Sequence, residues 1–214
     1  MYYQRDPAPY KARAATSNAR ARARNRQLVR DYLAQGACLD CGTRDFAVLE
    51  FDHRDPTSKT DDVSHLVRQA VSWQRIFAEI AKCDVVCANC HRRRTARSFG
   101  WRKLLGLEPL VLPPLPQRGT ADYERIKSTR SRLARQHRNR TLVLAYLREH
   151  PCALCGEGDP VVLDFDHLET KLREVTVIAS FGGWADLLAE ISKCRVLCAN
   201  CHRRHTAWQG GRER

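Results

Sequence analysis

The residues of this 214-residue chain that can do chemistry occur twice, in the same order and at nearly the same spacing. The first copy runs from CLDCG through VLEFDHRDP to EIAKCDVVCANCHRRRT, and the second from CALCG through VLDFDHLET to EISKCRVLCANCHRRHT. Thiol, carboxylate and imidazole groups that recur this closely indicate a chemical site on a small scaffold, present in two copies. The function is therefore to be sought in that site.

Each copy contains two CxxC pairs, which is the spacing of zinc-binding thiols in reduced proteins. The four cysteines are Cys38, Cys41, Cys87 and Cys90 in the first copy, and Cys152, Cys155, Cys198 and Cys201 in the second. Four thiolates fill the tetrahedral shell of zinc and leave no open position, so we predict two structural zinc ions per chain. Redox-active thiols and another soft metal are the alternative interpretations. We expect the remaining pair, Cys83 and Cys194, to be small buried thiols.

A carboxylate and two imidazoles form a second group in each copy. These residues are Asp52, His53 and His91 in the first copy, and Asp166, His167 and His202 in the second. His91 follows Cys90 on a predicted helix, where successive side chains diverge by about 100°, so we expect His91 and Asp52 to face a second cation. Consecutive strand residues point to opposite faces, so Asp52 and His53 address one phosphate only if the strand bends, which the segment HRDPTSK permits.

This second group has the composition that phosphodiester hydrolysis requires. The reaction needs an imidazole that takes a proton from water near neutral pH, and a divalent cation that relieves charge on the phosphate. One aspartate and one histidine leave coordination positions for water and phosphate, and the nitrogen ligand suits Mn²⁺ or Ni²⁺ as well as Mg²⁺. The alternative interpretation is that these residues only stabilise the zinc-binding turn.

The order of CxxC, a strand ending in Asp-His, and CxxCH on a helix resembles the HNH endonuclease family, whose members have a zinc-bound treble clef and a ββα-metal active site. The resemblance covers both copies and implies an α+β fold with two tandem treble-clef zinc domains. It also implies that the general bases are His53 and His167, and that the catalytic cation is held by Asp52 with His91 and by Asp166 with His202.

One position departs from the family's pattern. The family's middle asparagine, which orients the base, falls nine residues before the helix histidine, where this chain has Lys82 and Lys193. We expect these lysines to contact phosphate. Asn89 and Asn200 are the alternative source of an orienting amide.

The charge of the chain points to an acidic partner. A formal net charge of +13 most simply indicates nucleic acid, although a merely soluble basic protein has the same composition. Arginines follow each helix histidine, and they either contact flanking phosphates or form a solvated helix face. These residues are Arg92, Arg93, Arg94, Arg203 and Arg204. Arginine-rich lead-ins also precede each copy. The first is expected to be a flexible arm, with a helix along the phosphate backbone as the alternative.

The apolar pattern places these motifs on short elements. Helical spacing of Leu28, Val29, Tyr32 and Leu33 predicts a helix before the first CxxC, and the alternation in VLEFDH and VLDFDH predicts two strands. Apolar residues from Trp73 to Ile80, matched in the second copy, predict an amphipathic helix. The expected organisation is a disordered basic arm at 1–25, a zinc domain at 26–100, a Pro-rich linker at 101–122, a basic lead-in at 123–139 and a second zinc domain at 140–209.

Together these patterns predict a metal-dependent endonuclease that hydrolyses DNA. The alternative is a non-catalytic double zinc module that binds DNA or RNA. We expect double-stranded DNA as the partner, no association with a membrane, and a monomer that acts as a pseudo-dimer with one unit for each strand. If only one copy cleaves, the other serves as a binding module. The absence of a secretory signal and the reduced cysteines favour a cytoplasmic location.

Overall fold

The computed structural model describes residues 8–99 and 109–209. They divide between His91 and Arg92 into two compact units. The described residues form a mixture of helices and small sheets, with one two-stranded antiparallel sheet in each unit. None of the helices in these two ranges combines the length and the apolar character needed to cross a membrane.

The first unit is built around a hairpin flanked by helices. Its elements are α1 (Ala8–Ala34), β1 (Leu49–His53), α2 (Val63–Arg68), α3 (Trp73–Ile80), β2 (Cys83–Cys87) and α4 (Ala88–Phe99), of which the residues from Arg92 onward belong to the second unit. Ile76 and Ile80 on α3 are buried with Leu66, while Gln74 and Ala78 on the opposite face are exposed. The predicted amphipathic helix is therefore confirmed.

The second unit repeats this arrangement. Its elements are α5 (Tyr123–Glu149), β3 (Leu163–His167), α6 (Val175–Phe181), α7 (Trp184–Ile191), β4 (Cys194–Cys198) and α8 (Ala199–Gln209). One buried cluster joins Leu147 of α5, Leu163 of β3, Leu187 of α7 and Leu197 of β4. Each of these side chains is completely buried, so the core lies between the sheet and the helices that flank it.

The two hairpins fix where the reactive side chains lie. β1 pairs with β2 in a register that places Asp52 opposite Asp84 and His53 opposite Cys83. β3 pairs with β4 so that Asp166 lies opposite Arg195 and His167 opposite Cys194. The strands β1 and β3 were predicted from their alternation, whereas β2 and β4 were not, because their five residues begin and end in cysteine and hold one short apolar pair each.

The basic lead-ins are helical, which differs from the flexible arm expected at 1–25. Residues 8–34 form one continuous helix because the segment is rich in alanine and has neither glycine nor proline after Pro9. A buried asparagine anchors it: Asn25 Nδ2 donates to the Val71 carbonyl at 2.8 Å. Asn139 plays the same part on α5, donating to the Gly182 carbonyl at 3.2 Å. Residues 1–7 of the predicted arm and 101–108 of the predicted linker lie outside the described ranges.

Candidate metal centres

Each unit brings its four cysteines together at the base of the hairpin. The four sulfur atoms of each set lie within 4.8 Å of one another, with 3.8 Å between Cys41 Sγ and Cys87 Sγ and 3.7 Å between Cys155 Sγ and Cys198 Sγ. Sulfurs bound to one tetrahedral zinc at 2.3 Å lie about 3.8 Å apart, so both sets have the spacing that zinc needs. Among residues 8–99 and 109–209, these are the only groups of three or more thiol, imidazole or carboxylate ligands at such spacing.

The local backbone explains why the first CxxC of each unit presents its thiols. Gly42 and Gly156 each have a φ of 75°, a left-handed conformation that side chains disfavour and that closes a tight turn after the CxxC pair. Burial raises the pKa of the Cys38 thiol, but backbone N–H groups of Cys87, Cys41 and Asp40 lower it further, to about 7. Burial and neighbouring thiols raise the pKa of Cys90 instead. A bound cation would favour the thiolate form of all four.

The two leftover cysteines lie outside these clusters, as predicted. Cys83 Sγ donates to the Glu79 carbonyl at 3.4 Å, and Cys194 Sγ donates to the Glu190 carbonyl at 3.2 Å. Burial, followed by the nearby glutamate charge, raises the pKa of each thiol to about 11. Both therefore remain protonated and contribute to packing, which makes Cys83 a matched comparison for the ligand Cys87.

In the first unit, the structure brings together the predicted cation ligands. His91 Nε2 on α4 lies 3.3 Å from Asp52 Oδ1 on β1, and His91 Nδ1 lies 2.7 Å from Glu50 Oε1. A carboxylate only accepts, so Nδ1 donates to Glu50; when the imidazole is neutral, its Nε2 lone pair faces the Asp52 oxygen. In that state the two acceptors would attract a cation between them. Ligands on adjacent octahedral positions of Mg²⁺ lie about 3 Å apart, so the pair fits a divalent cation.

Glu50 was not predicted as part of this group. A histidine that ligates a metal usually donates its other N–H to a carboxylate or carbonyl, which fixes the ring and its tautomer. Glu50 precedes Asp52 by two residues and so projects from the same face of β1. This alternation in LEFDH is the signal by which the sequence could have indicated Glu50.

The predicted base His53 is held by a buried glutamate. His53 Nε2 donates to Glu79 Oε1 at 2.9 Å, and the side chain of His53 is 10% exposed. The same oxygen accepts the Thr60 N–H at 2.8 Å, and Lys82 Nζ donates to Glu79 Oε2 at 2.7 Å. With its proton fixed on Nε2, a neutral His53 keeps its lone pair on Nδ1, where it can accept a proton.

Glu79 is fixed as a carboxylate. Burial raises its pKa, but hydrogen bonds from Lys82, the Thr60 N–H, His53 and the Asp61 N–H outweigh burial and lower the pKa to about 2. The second unit repeats the contact, since His167 Nε2 lies 3.0 Å from Glu190 Oε1. Hydrogen bonding from Lys193 is the largest cause that lowers the pKa of Glu190 to about 2, against the opposing effect of burial.

Glu79, and not the residue at the position of the family's middle asparagine, makes the contact to His53. Lys82, which was expected to contact phosphate, pairs with Glu79, and Lys193 pairs with Glu190 at 3.0 Å. Asn89 is buried at the start of α4, and His53 contacts Glu79 instead. The orienting contact therefore comes from a carboxylate three residues before the lysine.

Replacing Glu79 with glutamine is expected to lower the stability of the first unit by about 2 kcal/mol. The amide loses the charge-assisted bonds from Lys82 and His53, each of which contributes about 1.5–3 kcal/mol, and keeps weaker neutral ones in their place. Urea unfolding measures the change. Glu124→Gln, at an exposed site, is the control and should stay within about 0.5 kcal/mol of the parent. Equal stabilities for the two variants would show that Glu79 is not a structural anion.

Asp52 and His53 point to opposite sides of β1. The strand stays paired through His53, and the Arg54 N–H then donates to the Lys82 carbonyl at 3.2 Å. The bend that HRDPTSK permits is therefore not present between Asp52 and His53, and it does not bring the two side chains to one face. Asp52 faces α4, where it meets His91, and His53 faces α3, where it meets Glu79. The Asp52–His91 pair and the His53–Glu79 pair therefore lie on opposite faces of β1 and are joined only through the strand backbone.

The second unit brings the same residue types together and adds a positively charged side chain, that of Arg195. His202 Nε2 lies 3.5 Å from Asp166 Oδ1, so these two predicted ligands are close together. Arg195 Nε and Nη2 each lie 2.8 Å from Asp166 Oδ2, and His205 Nδ1 lies 3.4 Å from the same oxygen. The arginine was not singled out from the sequence, where it appears only as the second residue of KCRVLC.

The arginines predicted to bind nucleic acid have carboxylate or thiol neighbours. Arg92 pairs with Asp164, and Arg93 pairs with Glu157 and Asp159 at 2.7 Å each. The paired carboxylates raise the pKa of Arg93, against the opposing effect of burial. Among the rest, Arg204 Nη1 lies 3.7 Å from Cys201 Sγ, while Arg94 and Arg203 are half-buried.

Comparison of the chain with protein-family models, with curated proteins and with solved structures gave no match. The resemblance to HNH endonucleases therefore rests on the motifs, and the function of the centres rests on their geometry.

Proposed function

We propose that the protein is a metal-dependent endonuclease that hydrolyses phosphodiester bonds in DNA, with a histidine as general base and one divalent cation at the active site. The observation that carries this proposal is the Glu50, His91 and Asp52 group, in which an oriented imidazole nitrogen lies 3.3 Å from a carboxylate oxygen. We also propose that the hairpin and the following helix correspond to the ββα-metal motif, on a treble clef that zinc stabilises.

The residues of the first unit have separate roles in this proposal. Asp52 and His91 hold the cation, and Glu50 orients His91. His53 accepts the proton of the attacking water through Nδ1, while Glu79 keeps the proton of His53 on Nε2. The divalent cation, when bound, relieves the charge that develops on the phosphate and on the departing oxygen. Because Asp52 and His53 lie on opposite faces of β1, one phosphodiester can reach both groups only by crossing the edge of this strand.

A non-catalytic zinc module that binds nucleic acid is the second candidate. It is favoured by the small exposure of His53 and by the placement of Asp52 and His53 on opposite faces of β1. Incubation of the protein with supercoiled plasmid, with and without Mg²⁺, Mn²⁺ or Ni²⁺, separates the two candidates. Nicking that requires the added cation supports the endonuclease, whereas retarded plasmid that stays supercoiled with every cation supports the binding module.

The exposed basic part of α1 is the proposed phosphate-binding surface of the first lead-in. Arg20 and Arg24 are exposed on this helix, and Arg22 is half-exposed. Replacing all three with glutamine is expected to reduce the magnitude of the slope of log K against log salt by up to about 3, because each phosphate contact contributes roughly 0.9 to this slope. Measuring DNA binding between roughly 50 and 200 mM salt gives this slope.

The matched control replaces the same three arginines with lysine, which keeps the charge and the helix. Its slope should equal that of the parent, because counterion release depends on charge rather than on guanidinium geometry. If the glutamine variant also keeps the parent slope, α1 does not lie on the phosphate backbone.

A further inference from the structure

The residue that lies across the hairpin from the ligand aspartate differs between the two units. The residue opposite Asp52 across the sheet is Asp84, and the residue opposite Asp166 is Arg195. Directly opposed side chains in an antiparallel pair lie close enough to interact. The first unit therefore places a second carboxylate, which pairs with Arg54 at 3.3 Å, opposite its ligand aspartate, where the second unit places a guanidinium.

Arg195 makes a close ion pair with the ligand carboxylate. Its Nε and Nη2 atoms converge on Asp166 Oδ2, each at 2.8 Å. The side chains are 24% and 11% exposed, so water screens the pair far less than it screens a surface salt bridge. His205 Nδ1, at 3.4 Å from the same oxygen, adds another nitrogen on this side of Asp166.

The group that orients the ligand histidine also differs. Glu50, which accepts from His91 in the first unit, corresponds to Asp164 in the second. Asp164 is one methylene shorter and pairs with Arg92. The carboxylate on the second unit's strand is thus engaged by a guanidinium.

These contacts do not fit a divalent cation. A cation between Asp166 Oδ1 and His202 Nε2 would lie next to the guanidinium that binds Oδ2, and like charges this close repel strongly where solvent is scarce. A cation bound there would also have to share the negative charge of Asp166, which Arg195 already neutralises.

We propose that the second unit carries no catalytic cation, because Arg195 takes its place on Asp166. The chain then has a single cutting centre, in the first unit, and the second unit serves as a binding module. The statement about cutting rests on the endonuclease proposed above, whereas the exclusion of the cation does not. One chain is accordingly expected to nick one strand, and not to act as a pseudo-dimer with two cutting centres.

The test counts Mn²⁺ ions by electron paramagnetic resonance on the full-length, zinc-loaded chain, with the first unit silenced by Asp52→Asn. This variant is expected to bind no Mn²⁺ tightly. Adding Arg195→Ala should create one Mn²⁺ site. Its affinity for Mn²⁺ should exceed that of the second unit in Asp52→Asn alone by about a hundredfold or more, because the repulsion from the guanidinium is removed. Adding Asp166→Asn as well should abolish that site. Arg173→Ala, which removes an exposed arginine of the same unit, should create none.

Arg195→Gln provides a second route if alanine disturbs folding, and two zinc ions per chain confirm that each variant is folded. A tight Mn²⁺ site in Asp52→Asn that disappears with Asp166→Asn would overturn the proposal. So would a folded Arg195 variant that gains no site. Cleavage is not measured in this experiment, so a parent that fails to cut plasmid would sink the proposed function and leave the cation count as evidence on Arg195 alone.

Discussion

Cys87→Ala is expected to unfold the first unit and to reduce the zinc content from two ions per chain to one. A structural zinc site contributes about 10–16 kcal/mol, whereas a whole domain is stable by only about 5–15 kcal/mol. Cys87 ends β2 and its sulfur lies 3.8 Å from that of Cys41, so its loss removes a ligand at the junction of the hairpin and α4. Elemental analysis and amide-exchange protection measure the two effects.

Cys83→Ala is the matched control, because Cys83 is a buried thiol at the other end of the same strand. It should keep two zinc ions and the protection of the first unit. If Cys87→Ala also keeps both, the four-cysteine set is not what holds the unit together.

The second large effect is expected at His53. General-base catalysis contributes typically 10²–10⁴-fold, so His53→Ala should slow plasmid nicking by about a thousandfold. Two zinc ions should remain bound, since His53 lies outside the thiol clusters. His65→Ala is the control within the same unit: His65 pairs with Asp61 through Nδ1 at 2.8 Å and has no proposed role in cleavage. A His53→Ala variant that cuts within tenfold of the parent would exclude His53 as the base.

Features that depend on local spacing could be predicted from the sequence. The CxxC pairs required their thiols to be close, and the alternation in LEFDH required a strand with Asp52 and His53 on opposite faces. Recurrence of each motif in the second copy reinforced both expectations. These predictions succeeded because each one needs only a few neighbouring residues.

The partners across the fold could not be predicted in this way. Glu79 reaches His53 only because α3 packs beside β1, and in sequence it is simply one acid on an amphipathic helix. Arg195 meets Asp166 through the register of a hairpin whose second strand was not predicted. The helical lead-in was missed for a related reason. Its arginine-rich composition predicted a flexible arm, whereas its alanines and the buried Asn25 decide its conformation.

The central claim is that the cation held by Asp52 and His91 cuts DNA. The most direct test is the rate of supercoiled-plasmid nicking in Mn²⁺ by the parent and by Asp52→Asn, each verified to contain two zinc ions. Asp62→Asn, which changes an exposed aspartate of the same unit, is the control. We predict nicking by the parent and by Asp62→Asn, and a loss of at least about a thousandfold in Asp52→Asn. Nicking by Asp52→Asn at the parent rate would contradict the account.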